Sequence, residues 1–153
     1  MTVTISDQAF KGGAAVTLAY VALFHVLFFV QSKMKMLKRK EYKKKGEKFS
    51  SYYNSADKDV LMMDRTVGNF REQTLPFLAT FWLALAARGE SDCRTVIYRG
   101  FAYVVFRALY PVLWGASGQL MGGITALIRV STVPSYLINF SFMYEIVRAI
   151  GAK

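Results

Sequence analysis

The sequence predicts an all-α membrane protein, built as an antiparallel bundle of four transmembrane helices. Three observations lead there. The 153 residues are 54% hydrophobic, yet the net charge is +10, so greasiness and basicity coexist in one short chain. The two properties occupy different places: residues 33–48 carry nine basic and two acidic side chains, a net +7, and the remainder is nearly neutral. Four long apolar stretches are separated by one long basic loop and two short polar or glycine-rich connections. A length of 153 residues suits one domain, here 1–153 as a single membrane unit. A nucleic-acid partner is excluded. Such a domain spreads cations over a folded surface, and the lysine run with Tyr42, Tyr52 and Tyr53 forms no base-reading module.

The first span is placed at about 13–34. From Gly12 to Ser32 the chain is uncharged for 21 residues, enough to cross a bilayer and too long for a cleavable signal core. His25 falls among apolar residues here and reads as a packed helix-interface side chain. A basic loop follows over 35–59. The second span is less obvious, because only residues 73–87 are free of charge. That stretch makes about 22 Å of helix, where roughly 30 Å must be crossed. The helix therefore has to start near Val60 and run to about 87, carrying Arg65, Asn69, Arg71 and Glu72 at the membrane boundary. A short polar turn over 88–94 leads to the third span, about 95–114, which contains Arg107. Residues 115–123 are uncharged and rich in glycine and alanine, reading as a tight connection. The fourth span, about 124–150, holds Arg129 near its start, Pro134 as a kink and Glu145 near its end. The positive-inside rule puts the basic loop in the cytosol, and with it the 115–123 connection, leaving both termini on the other side.

One cysteine, Cys93, and one histidine leave no set of ligands for zinc. The informative residues are the ionisable ones inside spans, which are costly there and face a bundle interior or a watery cavity. Arg65, Asn69, Glu72 and Pro76 fall at i, i+4, i+7 and i+11, one stripe of a helix. Tyr103, Arg107, Tyr110 and Trp114 repeat that spacing in the third span. Such stripes can be structural ties, with Arg65 pairing Glu72 or a neighbouring helix and the tyrosines sitting in an interfacial belt. They can also bind. Arg offers a fork to a carboxylate, Glu accepts from an ammonium, and Asn serves both sides of an amide. The matching ligand is small, zwitterionic and net anionic, like a short peptide.

The run Arg65-x3-Asn69-x2-Glu72-x3-Pro76-Phe77, preceded by Asp59-Val60, resembles the second-helix signature of the membrane-associated proteins in eicosanoid and glutathione metabolism, the MAPEG superfamily. This group includes microsomal glutathione transferases and a prostaglandin-E synthase. The run Phe106-Arg107-Ala108-Leu109-Tyr110, with Trp114 beyond it, is similar to the family's third-helix motif. The resemblance covers most of the chain. It implies a homotrimer that holds glutathione, as co-substrate, between neighbouring subunits on the cytosolic side. Arg65, Asn69 and Glu72 would grip the peptide, Arg107, Tyr110 and Trp114 would close the site, and Lys33 would reach a carboxylate. The implied function is a glutathione-dependent transferase or peroxidase acting on lipophilic electrophiles or lipid hydroperoxides drawn from the bilayer.

The sequence departs from the family pattern in one place. Relatives that activate the thiol with an arginine carry it at or before the start of the fourth helix, and residues 115–123 contain no cation. Arg129 is the nearest substitute, and with Tyr110 it stands as the catalytic candidate. The alternative is a non-catalytic scaffold of the same fold, or an accessory subunit of a larger membrane assembly. The endoplasmic reticulum is the expected membrane, with mitochondrial and plastid membranes as alternatives.

Overall fold

The computed structural model describes residues 5–88, 93–117 and 126–151. Over these the chain forms four helices and no strand: α1 (Asp7–Lys45), α2 (Lys58–Arg88), α3 (Cys93–Ser117) and α4 (Ala126–Gly151).

α1 opens with Ser6, whose Oγ accepts from the Ala9 amide at 3.2 Å. It then runs for 39 residues, about 58 Å, well past the thickness of a hydrocarbon core. This corrects the expected loop over 35–59: residues 35–45 are helical, and the connection shrinks to 46–57. The physical reason is local. Apart from Tyr42, the segment is made of Met, Leu, Lys, Arg and Glu, all good helix formers, with neither glycine nor proline before Gly46. Gly46 ends the helix with φ at 71°, its amide donating to the Lys43 carbonyl and that of Glu47 to the Tyr42 carbonyl. Lys43, Lys44 and Lys45 in the last turn complement the helix dipole.

The extension is tied to the start of α2 by ion pairs. Lys35 Nζ lies 2.7 Å from Asp64, and Lys38 Nζ lies 2.9 Å from Asp59 and 3.4 Å from Asp57. The hydrogen bond to Asp59 holds the Lys38 ammonium above the ordinary lysine range, with Asp57 assisting. Asp57 also caps α2, its Oδ1 accepting from the amides of Asp59 and Val60 at 3.1 and 3.2 Å.

Contacts between helices fix the topology. Along α1, Phe10 meets Trp82, Tyr20 meets Phe70, and Lys35 meets Asp64, so α2 runs back down the length of α1. Phe77 stacks on Tyr103 and Arg107 bonds Asn69, which sets α3 antiparallel to α2. Ser131 bonds the Phe106 carbonyl and Glu145 bonds Arg99, which sets α4 antiparallel to α3. The order is up, down, up, down. Tyr20, Phe70, Phe77, Phe81, Tyr103 and Phe142 form the buried aromatic centre, with the Phe77 and Tyr103 rings 3.9 Å apart and nearly parallel.

Large apolar side chains lie on the outside, and several charged or polar ones lie inside. Leu18, Phe29, Val112, Leu137, Phe140 and Val147 are exposed, whereas Asp64, Arg107, Ser131, Asn139 and Glu145 are buried. Apolar side chains facing outward, with a few charged and polar groups tucked in beside the aromatic centre, suit a lipid environment. α1 and α3 are each long and apolar enough to cross a bilayer, with mean hydropathies of 2.1 and 1.3 over their most apolar stretches. α2 and α4 are too polar to meet that standard alone.

Gly100 lets three helices meet. A Cβ there would stand 2.7 Å from Phe81 Cε2 and 2.9 Å from Val16 Cγ1, both on fully buried side chains. Ala is the better helix former by about 1 kcal/mol. Overpacking against an immobile ring outweighs that gain, so Gly100→Ala should cost about 1–2 kcal/mol net. A thermal melt in detergent checks it, and an unchanged midpoint would mean that the crossing has slack.

Candidate functional site

The two sequence stripes end up in different settings. On α2, buried residues such as Val60, Met63, Val67, Phe70 and Phe77 face the bundle. The stripe lies to the other side: Arg65, Glu72 and Pro76 are exposed and Asn69 is half-buried. Among the described residues, neither Arg65 nor Glu72 has a hydrogen bond or ion pair. They are two turns apart on one helix, and they do not brace each other. Of the structural ties the sequence allows, the one between Arg65 and Glu72 is not formed, and no described residue of another helix in the protomer pairs with Arg65.

The α3 stripe points inward. Tyr103, Arg107 and Tyr110 are buried, and Trp114 is half-buried. The stripes meet at one bond, from Arg107 Nη2 to Asn69 Oδ1 at 2.5 Å. The guanidinium is flanked by the rings of Phe70 and Tyr110, with centroids 5.6 and 5.7 Å away. A buried cation needs such acceptors and π faces to offset lost hydration. The Tyr110 and Trp114 rings stack at 6.3 Å.

The bond assigns the Asn69 amide. With Oδ1 taken by Arg107, the two N–H donors of the Asn69 amide remain for other partners. The outer face of α2 therefore offers a guanidinium fork, two amide donors and a carboxylate in sequence. Those groups together can hold a small zwitterion. Tyr110 lies within electrostatic reach of Arg107, Arg65 and Glu72, on the seam between the stripes. Pro76 also lacks the N–H that would close on the Glu72 carbonyl, and Pro111 does the same for Arg107, leaving main-chain acceptors beside both.

Two residues singled out in the sequence do not join this cluster within one protomer. Lys33 is exposed and lies about 200° around α1 from Gln31, the side chain that bonds Asp64. Arg129 is exposed and lies on the opposite side of α4 from buried Ser131 and Ser135. His25 is also exposed, with Nδ1 bonded to the Val21 carbonyl at 2.8 Å, so it is no interface residue of the protomer.

Other residues emerge only in three dimensions. Asp64 is buried where α1, the 46–57 connection and α2 meet, and it accepts from Gln31, Lys35 and the Tyr53 amide. Glu145 is buried at the far end of the bundle, between Arg88 at 2.5 Å and Arg99 at 3.2 Å. In the sequence, the charge of Asp64 merges with its neighbour Arg65, and Glu145 has no nearby cation except Arg148. Of the 115–123 connection, whose lack of a cation bears on thiol activation, residues 118–123 lie outside the described residues.

Compared with known proteins, the family model described as MAPEG family matches residues 14–140. No curated protein and no solved structure matches the chain.

Proposed function

The chain belongs to the MAPEG family, and on that premise we propose that it is a glutathione-dependent transferase or peroxidase embedded in the membrane, working on lipophilic electrophiles or lipid hydroperoxides. Members of the family generally use glutathione and are often trimers. The observation that carries the reading is the open α2 face. Among the described residues Arg65 and Glu72 have no partner, and beside them Asn69 keeps its amide donors free while buried Arg107 holds its oxygen. A membrane protein that leaves a guanidinium and a carboxylate unpaired at this depth leaves them for something else to satisfy.

All four helices cross the bilayer in this reading. α2 packs antiparallel along the apolar length of α1, from Phe10–Trp82 to Lys35–Asp64, so a spanning α1 takes α2 with it. α4 is drawn in likewise by α3. The face of each protomer that bears Arg65 and Glu72 meets a neighbour in a homotrimer. The neighbour's exposed Lys33 and Arg129 come into range there, and glutathione lies between. The lysine-rich end of α1 faces the cytosol.

Glutathione would supply the nucleophile, so the protein needs none of its own. Arg65 would hold a carboxylate, Glu72 the ammonium, and Asn69 a peptide carbonyl, while Tyr110 closes the inner wall. Nearby guanidinium charge lowers the thiol pKa and populates the thiolate at neutral pH. In conjugation, the thiolate sulfur forms a bond to the electrophilic carbon and the leaving group departs with its electron pair. In peroxide reduction, two glutathione thiols are oxidised to one disulfide while the hydroperoxide becomes an alcohol and water.

Purified protein should therefore conjugate or reduce such substrates at millimolar glutathione, and Glu72→Ala should lower kcat/KM more than about tenfold, the worth of one charge-assisted bond. Equal rates for the two proteins would refute the reading. A second reading, a non-catalytic scaffold within a larger membrane assembly, is favoured by one observation: no cation in 115–123, with Arg129 on the outer side of α4. It predicts no turnover at all, with or without glutathione bound.

A further inference from the structure

The 46–57 connection does more than join two helices. It folds back on the first turns of α2 and is held there by Asp64, whose Oδ2 accepts from the Tyr53 amide at 2.7 Å. Asp64 is itself fixed by Gln31 at 2.6 Å and Lys35 at 2.7 Å, and Lys35 sits over the Tyr52 ring at 4.4 Å. Tyr53 adopts a φ of 44°, the left-handed region that a bulky residue avoids unless its surroundings impose it. The imposed conformation sends the phenol to a specific place. Its hydroxyl lies over Gly68, only 3.0 Å from where a Cβ would stand. Gly68 follows Arg65 by three residues and precedes Glu72 by four, so all three share one face of α2.

We propose that Tyr53 is a further ligand-contacting residue, whose hydroxyl closes the cytosolic edge of the glutathione site between Arg65 and Glu72. The proposal rests on the reading that this face binds glutathione. The phenol donates to the carboxylate held by Arg65, one helical turn away. Gly68 leaves the hydroxyl its place: even an alanine Cβ there, at 3.0 Å, would make it give by a few tenths of an ångström. The ring itself is exposed, so nothing in the core depends on it.

Calorimetric titration of the full chain in detergent with glutathione tests this. Tyr53→Phe, which keeps the ring, should raise the dissociation constant about three- to tenfold, the worth of one hydrogen bond, and leave the ligand-free thermal midpoint unchanged. Gly68→Ala should give a similar loss, and the two changes combined should lose no more than one alone. If Tyr53→Phe binds like wild type while Arg65→Ala does not, Tyr53 is no contact and the glutathione site stands without it. If wild type itself does not bind at millimolar glutathione, the underlying reading falls, and this proposal with it.

Discussion

Arg65→Ala is expected to raise the dissociation constant for glutathione roughly 10- to 100-fold, the range set by one bidentate charge-assisted contact. The same change should leave the thermal midpoint of the ligand-free protein within about 2 °C of wild type, as exposed substitutions do. The separation of the two readouts follows from where the side chain sits. Arg65 is exposed and has no hydrogen bond or ion pair among the described residues, so its removal breaks nothing inside the protomer. Arg107 should behave oppositely. It is buried, bonded to Asn69 and sandwiched by Phe70 and Tyr110. Arg107→Met therefore removes the partner that orients Asn69, and both affinity and stability should fall together. Titration calorimetry and thermal melts on the same preparations check the pattern. A loss of stability in Arg65→Ala equal to that in Arg107→Met would show that both are structural ties, and the binding account would fail.

That contrast also marks what the sequence could disclose. The spacing at 65, 69 and 72 and at 103, 107 and 110 is legible, because a 3.6-residue period places side chains on one face whatever surrounds them. Which face is buried is not legible from spacing, since it depends on neighbours distant in the chain. The sequence alone treats Arg65 and Arg107 as equal members of a pair of stripes. In the structure one is a guanidinium without a partner among the described residues, and the other is a support for an amide. The basic segment shows the same limit. Reading 35–59 as a loop follows from its charge, while its helix propensity, visible in the same letters, was the better guide as far as Lys45. Lys35 and Lys38 then differ from the rest of the run only through Asp57, Asp59 and Asp64, which α2 brings alongside. Tyr53 is the extreme case. Nothing in its local sequence marks it, and its place over Gly68 depends on an aspartate eleven residues away.

Glu145→Gln should destabilise the protein by about 2–3 kcal/mol, lowering the midpoint of a detergent melt by roughly 5–10 °C. Glu145 is the only acidic residue of α4, and its carboxylate is buried between two guanidiniums, one from α2 and one from α3. Three helices are thus joined through one Oε1, at the end of the bundle opposite the binding stripe. Gln keeps the shape and one acceptor but removes the charge, so Arg88 and Arg99 lose the carboxylate they share and face each other with less of their charge balanced. The cost falls below that of a fully buried pair because the two arginines keep 26% and 35% of their side-chain exposure and retain some hydration. Glutathione affinity of the folded protein should not change, because Arg88 lies 23 residues along α2 from Arg65, about 34 Å of helix. Removing one of the two positive charges should then restore part of the loss, so the double change Glu145→Gln with Arg99→Gln is expected to melt above Glu145→Gln alone. If the double variant instead melts lower by the sum of the single effects, the arginines do not interact through the glutamate, and the triad is three independent contacts at a membrane surface.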